Sequence, residues 1–195
     1  MSLQLCIPNS KNSTENLCLS QFELESKRLF IRYYKETDFE NSTILYGNET
    51  ITKYFDHGLP RSKDEVKNLI KKMCELAEKG EPFGLFSIFK KDDMSFIGHI
   101  DCLPTNTAGI IEIGYILHNH FQNQGFCSEA VRAFLFDYIS TMNSRVDGIK
   151  IYRVIATVHP ENSASKKIIE NLGMRFEKSL NRFGQPRIKY FLNLT

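Results

Sequence analysis

The sequence has no Cys-x-x-Cys pair, no lysine/arginine block, no apolar run of membrane-spanning length and no internal repeat. Each absence removes a class of function. The cysteines Cys6, Cys18, Cys74, Cys102 and Cys127 are odd in number and irregularly spaced, so they read as reduced thiols rather than a zinc site or a disulfide framework. A net charge of +2 without a basic stripe or an aromatic platform argues against a nucleic-acid-binding module. The N-terminus lacks a positive region followed by a sustained apolar core, and nothing calls for a membrane, so a soluble cytoplasmic protein is expected. With no linker dividing it, the 195-residue chain reads as one domain with a single sizeable core.

Residues 1–21 mix a short alternating piece with a Ser/Asn/Lys/Thr/Glu-rich stretch, and read as a poorly ordered arm or an added edge strand. The domain then spans 22–195. Residues 28–34 form a β-rich first strand, followed by short helices near 39–46 and 50–55. Ser62 and Glu65 have capping-box spacing, and Val66, Leu69, Ile70, Met73, Leu76 and Ala77 repeat on one face of the helix they open, which Gly80 closes. A meander of strands at 83–89, 96–103 and 110–117 comes next. The third is apolar on both faces, so both sides of the sheet should be covered. A helix opening near Gly125 places Val131, Phe134, Leu135, Tyr138 and Met142 on one stripe. After it come a strand at 151–158, a short helix capped by Asn162, and strands at 175–180 and 188–194 around a turn with Gly184 and Pro186. The expected class is α+β: a central mixed, mostly antiparallel sheet of about six or seven strands with helices on both faces.

Residues 111–132 carry the chemistry. An apolar strand holding a single acid, Glu112, runs through a polar turn centred on Gly125 into an amphipathic helix. The first N–H groups of a helix lack partners and the peptide dipoles add there, so this turn is suited to an anion, and we read it as a pyrophosphate site. Glycine lets the backbone approach closely. An unpaired carboxylate at Glu112 is desolvated by its apolar neighbours, which raises its pKa and suits it to take a proton from an ammonium. The alternative is an acid at a solvent-facing or backbone-bonded position. His118 and His120 have the spacing of a metal pair, yet no third ligand follows, so no metal is expected.

Four stretches together resemble the GNAT family of N-acetyltransferases, in the branch similar to ribosomal-protein alanine N-acetyltransferases. They are residues 25–32 (ESKRLFIR), 113–115 (IGY), 122–130 (QNQGFCSEA), and 162–165 (NSAS) with 171–174 (NLGM). The resemblance covers about residues 26–194 and implies a GNAT-like acyl-CoA N-acyltransferase fold. It implies acetyl-CoA as cosubstrate, with its pyrophosphate on the backbone of Gln122, Asn123, Gln124, Gly125, Phe126, Cys127 and Ser128. Cys127 departs from the family's small third position but keeps its N–H. A helix start lowers a thiol pKa, although no adjacent base makes Cys127 a covalent nucleophile. The resemblance further implies that Asn162 bonds the pantetheine arm or acetyl group, and that the Ser165 hydroxyl reaches the CoA sulfur and protonates the departing thiolate. Many relatives use a tyrosine later in that helix, where this chain has Ile169. Tyr115 and Leu117, where the central strand should splay from its neighbour, would offer amides to pantetheine and the thioester.

The expected function is direct acetyl transfer from acetyl-CoA to a primary amine in a ternary complex, with Glu112 as base and Ser165 as acid. A protein N-terminal α-amine is the acceptor the branch resemblance suggests. Aminoglycosides or polyamines are the alternative, and they call for several carboxylates, for which Glu40, Glu49 and Asp56 are available. A catalytically silent acyl-CoA-binding regulatory module on the same fold is the rival of another class.

Overall fold

The computed structural model describes residues 22–78, 83–145 and 150–194. The N-terminal arm, residues 1–21, and the glycine stop at residue 80 lie outside the described residues. The described strands are β1 (Glu23–Glu25), β2 (Leu29–Tyr33), β3 (Gly84–Lys90), β4 (Phe96–Pro104), β5 (Ile110–Leu117), β6 (Arg153–Val158), β7 (Arg175–Arg182) and β8 (Gln185–Asn193). They form one sheet in the order β1-β2-β3-β4-β5-β6-β8-β7. Only β5 and β6 run parallel. The α+β class is as expected, with eight strands instead of six or seven. The extra strand is β1, which pairs Leu24 with Ile31 and buries Leu24 between two acids. Three residues are too short for alternation to reveal a strand.

Helices cover both faces. On one side lie α1 (Phe39–Tyr46), α2 (Glu49–Thr52) and α3 (Lys63–Glu78), whose Leu45, Tyr46, Val66, Ile70 and Met73 pack with Leu85 and Ile116. The helix α2 is shorter than the 50–55 span expected. On the other side α4 (Phe126–Ala133) passes through a π turn (Phe134–Tyr138) into α5 (Ile139–Arg145), and α6 (Ser163–Asn171) follows β6. The stripe Val131, Phe134, Leu135, Tyr138 and Met142 is buried as its spacing predicts. Strand β5 serves both layers, with Ile111 and Ile113 in one cluster and Ile116 in the other, because alternate side chains leave a strand on opposite faces.

Between β2, β3, β4 and α1 lies a buried polar network. Asp38 accepts from Arg32 at 2.7 and 2.8 Å and from Ser87 at 2.7 Å, while Ser42 Oγ and His99 Nε2 are 2.8 Å apart. Burial pushes the His99 pKa down to about 4, so its imidazole is neutral at physiological pH. The network satisfies its own groups and keeps His99 away from chemistry.

The final hairpin is longer than the sequence suggests. Arg182 pairs with Gln185, leaving a two-residue loop, Phe183-Gly184, with φ of 59° and 70°. Two left-handed residues match the type I′ geometry that suits strand twist. Phe-Gly lacks the usual Asn-Gly signature, and Pro186 looks like a strand terminator. Pro186 is tolerated because it lies beyond the last β6–β8 pair, Val158 with Ile188. The consequence is functional: the extended hairpin carries Arg182 and Phe183 to the lining of a cleft.

Candidate active site

The parallel ladder between β5 and β6 holds for only three pairs, Ile110 with Arg153, Ile111 with Val154 and Glu112 with Ile155. Beyond Glu112 the strands part, and a cleft of about 890 Å³ occupies the opening. Glu112, Tyr115, Leu117, Gln122, Asn123, Gly125, Cys127, Ser128, Asn162 and Ser165 all line it. Gln124 and Phe126 do not. The Gln124 side chain turns back to donate to the His120 carbonyl at 2.6 Å, and Phe126 is buried under the Arg28 guanidinium, 4.3 Å from its ring centre.

Gly125 is the N-cap of α4 and takes φ 78°, a left-handed conformation in which L side chains are strained. Asn123 is also left-handed, at φ 60°. Such residues gather successive N–H groups on the concave side of a turn, the arrangement that binds anions. The first intrahelical bond runs from Glu129 N–H to the Gly125 carbonyl, so the N–H groups of Phe126, Cys127 and Ser128 precede it. A cation stands beside this turn. Arg28 donates to the Gln124 carbonyl at 3.0 Å and pairs with Glu129 at 2.7 Å, and its Nη2 lies 3.4 Å from where a Cβ on Gly125 would sit. The Cys127 thiol is pushed up to about 12 by burial, so the lowering that a helix start provides is overridden and no thiolate is available there.

Across the opening, Asn162 caps α6 by accepting from the Ser165 N–H at 3.0 Å. The Ser165 hydroxyl is 2.7 Å from the Tyr115 hydroxyl. Burial raises the Tyr115 pKa well above its ordinary value, so the pair is neutral and shares one hydrogen bond. A phenol therefore does reach the serine, from β5 instead of from α6.

The acids of the cleft differ sharply from one another. Glu112 accepts from Thr157 at 2.9 Å and from Arg182 Nη1 at 2.5 and 2.7 Å, so both of its oxygens are engaged. Asp56 pairs with Arg61. Asp101, on β4, lies across from Gly114, and its inaccessible Oδ1 has no hydrogen-bond partner among the described residues. Burial, with Asp56 and Glu112 adding like charge, pushes the Asp101 pKa up to about 7. Glu40 and Glu49 are exposed, with Glu40 near Lys63, so neither joins the cleft. One wall is the segment between α2 and α3. Arg187, almost fully buried, donates to the carbonyls of Tyr54 (2.7 Å) and Asp56, and Tyr54 stacks on His159 with centres 5.0 Å apart.

Comparison with known proteins names the arrangement. The family model described as "Acetyltransferase (GNAT) domain" matches residues 28–175. The chain belongs to the GNAT acetyltransferase family. It is similar to the N-acetyltransferase YnaD of Bacillus subtilis, itself uncharacterized, with 29% identity over 154 residues covering 79% of this chain and 83% of that one. Its fold is that of the ribosomal-protein-S5-alanine acetyltransferase from Vibrio fischeri (TM-score 0.70, 18% identity, 89% of this chain and 97% of that one). It is equally that of the spermidine N-acetyltransferase from Vibrio cholerae, solved with CoA and spermine (TM-score 0.70, 19% identity, 86% and 96%). This chain is thus an N-acetyltransferase of the GNAT fold.

Within that family frame, the donor set fits an acyl-CoA. The left-handed Gly125 turn offers amides and a neighbouring guanidinium to phosphates, and the opening beyond Glu112 leaves one edge of β5 without a strand partner. Among the described residues no cluster of three His, Cys, Asp or Glu side chains is placed to hold a metal ion, and no helix is long and apolar enough to cross a membrane. The site residues absent from the sequence reading are Asp101, Arg182, Arg187 and the Arg28 side chain. Their signals are polar residues inside strand patterns, but which of them meet is set by sheet register, and spacing along the chain does not report it.

Proposed function

We propose that the protein transfers the acetyl group of acetyl-CoA directly to a single primary amine, and that a polypeptide α-amine is the acceptor. The observation that carries the reading is the opening of the β5–β6 pair beside the Gly125 turn, with Asn162 and Ser165 on the facing helix. The pyrophosphate lies on the first turn of α4, as anions do at helix N-termini. Free amides of β5 between Ile113 and Leu117 receive pantetheine and polarise the thioester carbonyl. Ser165, held by Tyr115, gives a proton to the departing thiolate. Holding amine and thioester together supplies much of the rate.

The acceptor class is argued from charge. Arginines engage Asp56 and Glu112, which leaves Asp101 and the exposed Glu161 as the acids of the cleft without a cationic partner among the described residues. A polycation needs several free carboxylates, and this cleft offers two, on separate elements. Spermidine remains the second reading because the V. cholerae neighbour acts on it.

The test is a thiol-release assay with acetyl-CoA and three acceptors: an unblocked tripeptide amide, the same peptide N-formylated, and spermidine. The unblocked peptide is expected to exceed spermidine by about tenfold in kcat/KM, the factor that 1.4 kcal/mol provides, and the formylated peptide is expected to be inert. The reverse ranking would give the polyamine reading. Acetyl-CoA binding without thiol release on any amine would leave only a silent module.

A further inference from the structure

We propose that Asp101, not Glu112, takes the proton from the acceptor amine, and that Gly114 lacks a side chain because the Asp101 carboxylate fills that space. The inference rests on the acetyl-transfer reading and deepens it. Asp101 and Gly114 are cross-strand partners on β4 and β5. A Cβ at Gly114 would stand 2.5 Å from Asp101 Oδ1 and 2.8 Å from Oδ2, closer than any real side chain tolerates. The carboxylate therefore lies flat over the backbone of β5, two residues past the point where β5 and β6 separate. Both acids line the cleft, but their oxygens are differently occupied. Glu112 has Thr157 on one oxygen and the Arg182 guanidinium on both, so its oxygens are already taken by donors. Asp101 Oδ1 is inaccessible and has no partner among the described residues, so in the proposed step the proton goes to Oδ2.

The charged and titratable groups around Asp101 come from several elements. Asp56 on the α2–α3 segment and Glu112 on β5 push its pKa up, while Arg182 on β7 pulls it down. Tyr46 on α1 and Cys102 beside it on β4 are neutral, each held protonated by burial. With the resulting pKa near neutrality, Asp101 matches what a general base needs. Glu112 and Arg182 then act through Asp101: they set its field and hold the β7–β8 hairpin against the cleft. The step balances. The acceptor enters as an ammonium and loses one proton to Asp101. Its nitrogen bonds the thioester carbon, the C–S bond breaks, and the thiolate leaves as CoA thiol with a proton relayed through Ser165. The amide nitrogen's surplus proton replaces the one Ser165 gave, and Asp101 returns its own to solvent.

Three variants, Asp101→Asn, Glu112→Gln and Gly114→Ala, separate this from the alternative. Acetyl-CoA affinity by calorimetry is expected to stay at the wild-type value in Asp101→Asn, since Asp101 does not hold CoA. With the fastest amine of a panel of tripeptide amides, spermidine and kanamycin, kcat at pH 7 is expected to fall about a hundredfold or more in Asp101→Asn. Gly114→Ala, which displaces the carboxylate, should lose a comparable factor. Carboxyl carbon NMR should show one group titrating near pH 7 in the wild type, missing in Asp101→Asn. In Glu112→Gln that titration should move to lower pH, because a like charge is gone and Arg182 is released. Wild-type kcat in Asp101→Asn, or loss of the near-neutral titration in Glu112→Gln alone, would return the role to Glu112. If wild-type protein releases thiol with no amine of the panel, the transfer reading itself fails and the Asp101 role falls with it. Thiol release that keeps its wild-type rate in Asp101→Asn sinks this inference alone.

Discussion

Gly125→Val is expected to weaken acetyl-CoA binding by at least about tenfold, equal to 1.4 kcal/mol, while costing the fold about 1–2 kcal/mol of stability. Two independent contacts produce the loss. The residue takes φ 78°, which a β-branched side chain adopts only under strain, so the turn relaxes toward negative φ and its N–H groups swing away from a common point. The position of a Cβ is also only 3.4 Å from Arg28 Nη2, and valine's methyl groups extend beyond it. Arg28 cannot yield freely, because Glu129 holds its Nε and the Gln124 carbonyl holds its Nη1. Calorimetry with CoA measures the affinity and thermal unfolding the stability. Gly184→Ala is the control: it has a similar φ of 70° and open space around the Cβ position. It should lose stability and keep wild-type affinity for CoA. Equal affinities for Gly125→Val and Gly184→Ala would remove the turn from CoA binding.

The second large effect is expected at Arg187, which ties the far wall of the cleft to the sheet. Arg187→Met keeps much of the side-chain length and removes the guanidinium donors to the Tyr54 and Asp56 carbonyls. Hydrogen bonds from a charged donor are worth about 1.5–3 kcal/mol each, and unfolding should become easier by about 2–4 kcal/mol, read from urea denaturation at constant m-value. The lost charge works in the other direction. Burial already disfavours the Arg187 cation, so removing it recovers part of its desolvation cost and keeps the net below the sum of two bonds. The functional signature is a raised KM for the amine with unchanged CoA affinity, because the tied segment lines the cleft and its Asp56 acts on Asp101, the base proposed for the amine. A change below about 0.5 kcal/mol, the range of ordinary surface substitutions, would mean that the segment is held by other contacts, such as Tyr54 on His159.

Local chemistry was readable from the chain where it depended on neighbours in sequence. Ser62 and Glu65 exchange the capping-box bonds that their spacing predicts, with Ser62 N–H to Glu65 at 2.8 Å and Glu65 N–H to Ser62 at 3.3 Å. Asn162 caps α6, and the apolar stripe of the central helix is buried. The glycine turn and the meander of β3, β4 and β5 follow from the same reasoning, whereas the splay after the central strand was implied only by the family resemblance. What escaped it was contact between distant segments. Asp101 sits 13 residues before Gly114, and nothing but antiparallel register puts its carboxylate over that glycine. Glu112 was legible as an acid in an apolar strand, but its partner, Arg182, is 70 residues away on a hairpin whose length hinges on a left-handed phenylalanine. The Arg182 pair is what distinguishes Glu112 from Asp101, whose Oδ1 has no partner among the described residues. Cys127 shows the same limit in reverse: its place at a helix start favours a thiolate, and burial outweighs it.

The central claim is that acetyl-CoA runs along the opening between β5 and β6 with its pyrophosphate on the first turn of α4. A crystal structure of the protein with acetyl-CoA tests it most directly. The account predicts pyrophosphate oxygens within hydrogen-bond distance of the N–H groups following Gly125, and the thioester between β5 and Ser165. A pyrophosphate seated elsewhere, with the Gly125 turn left to solvent, would contradict it.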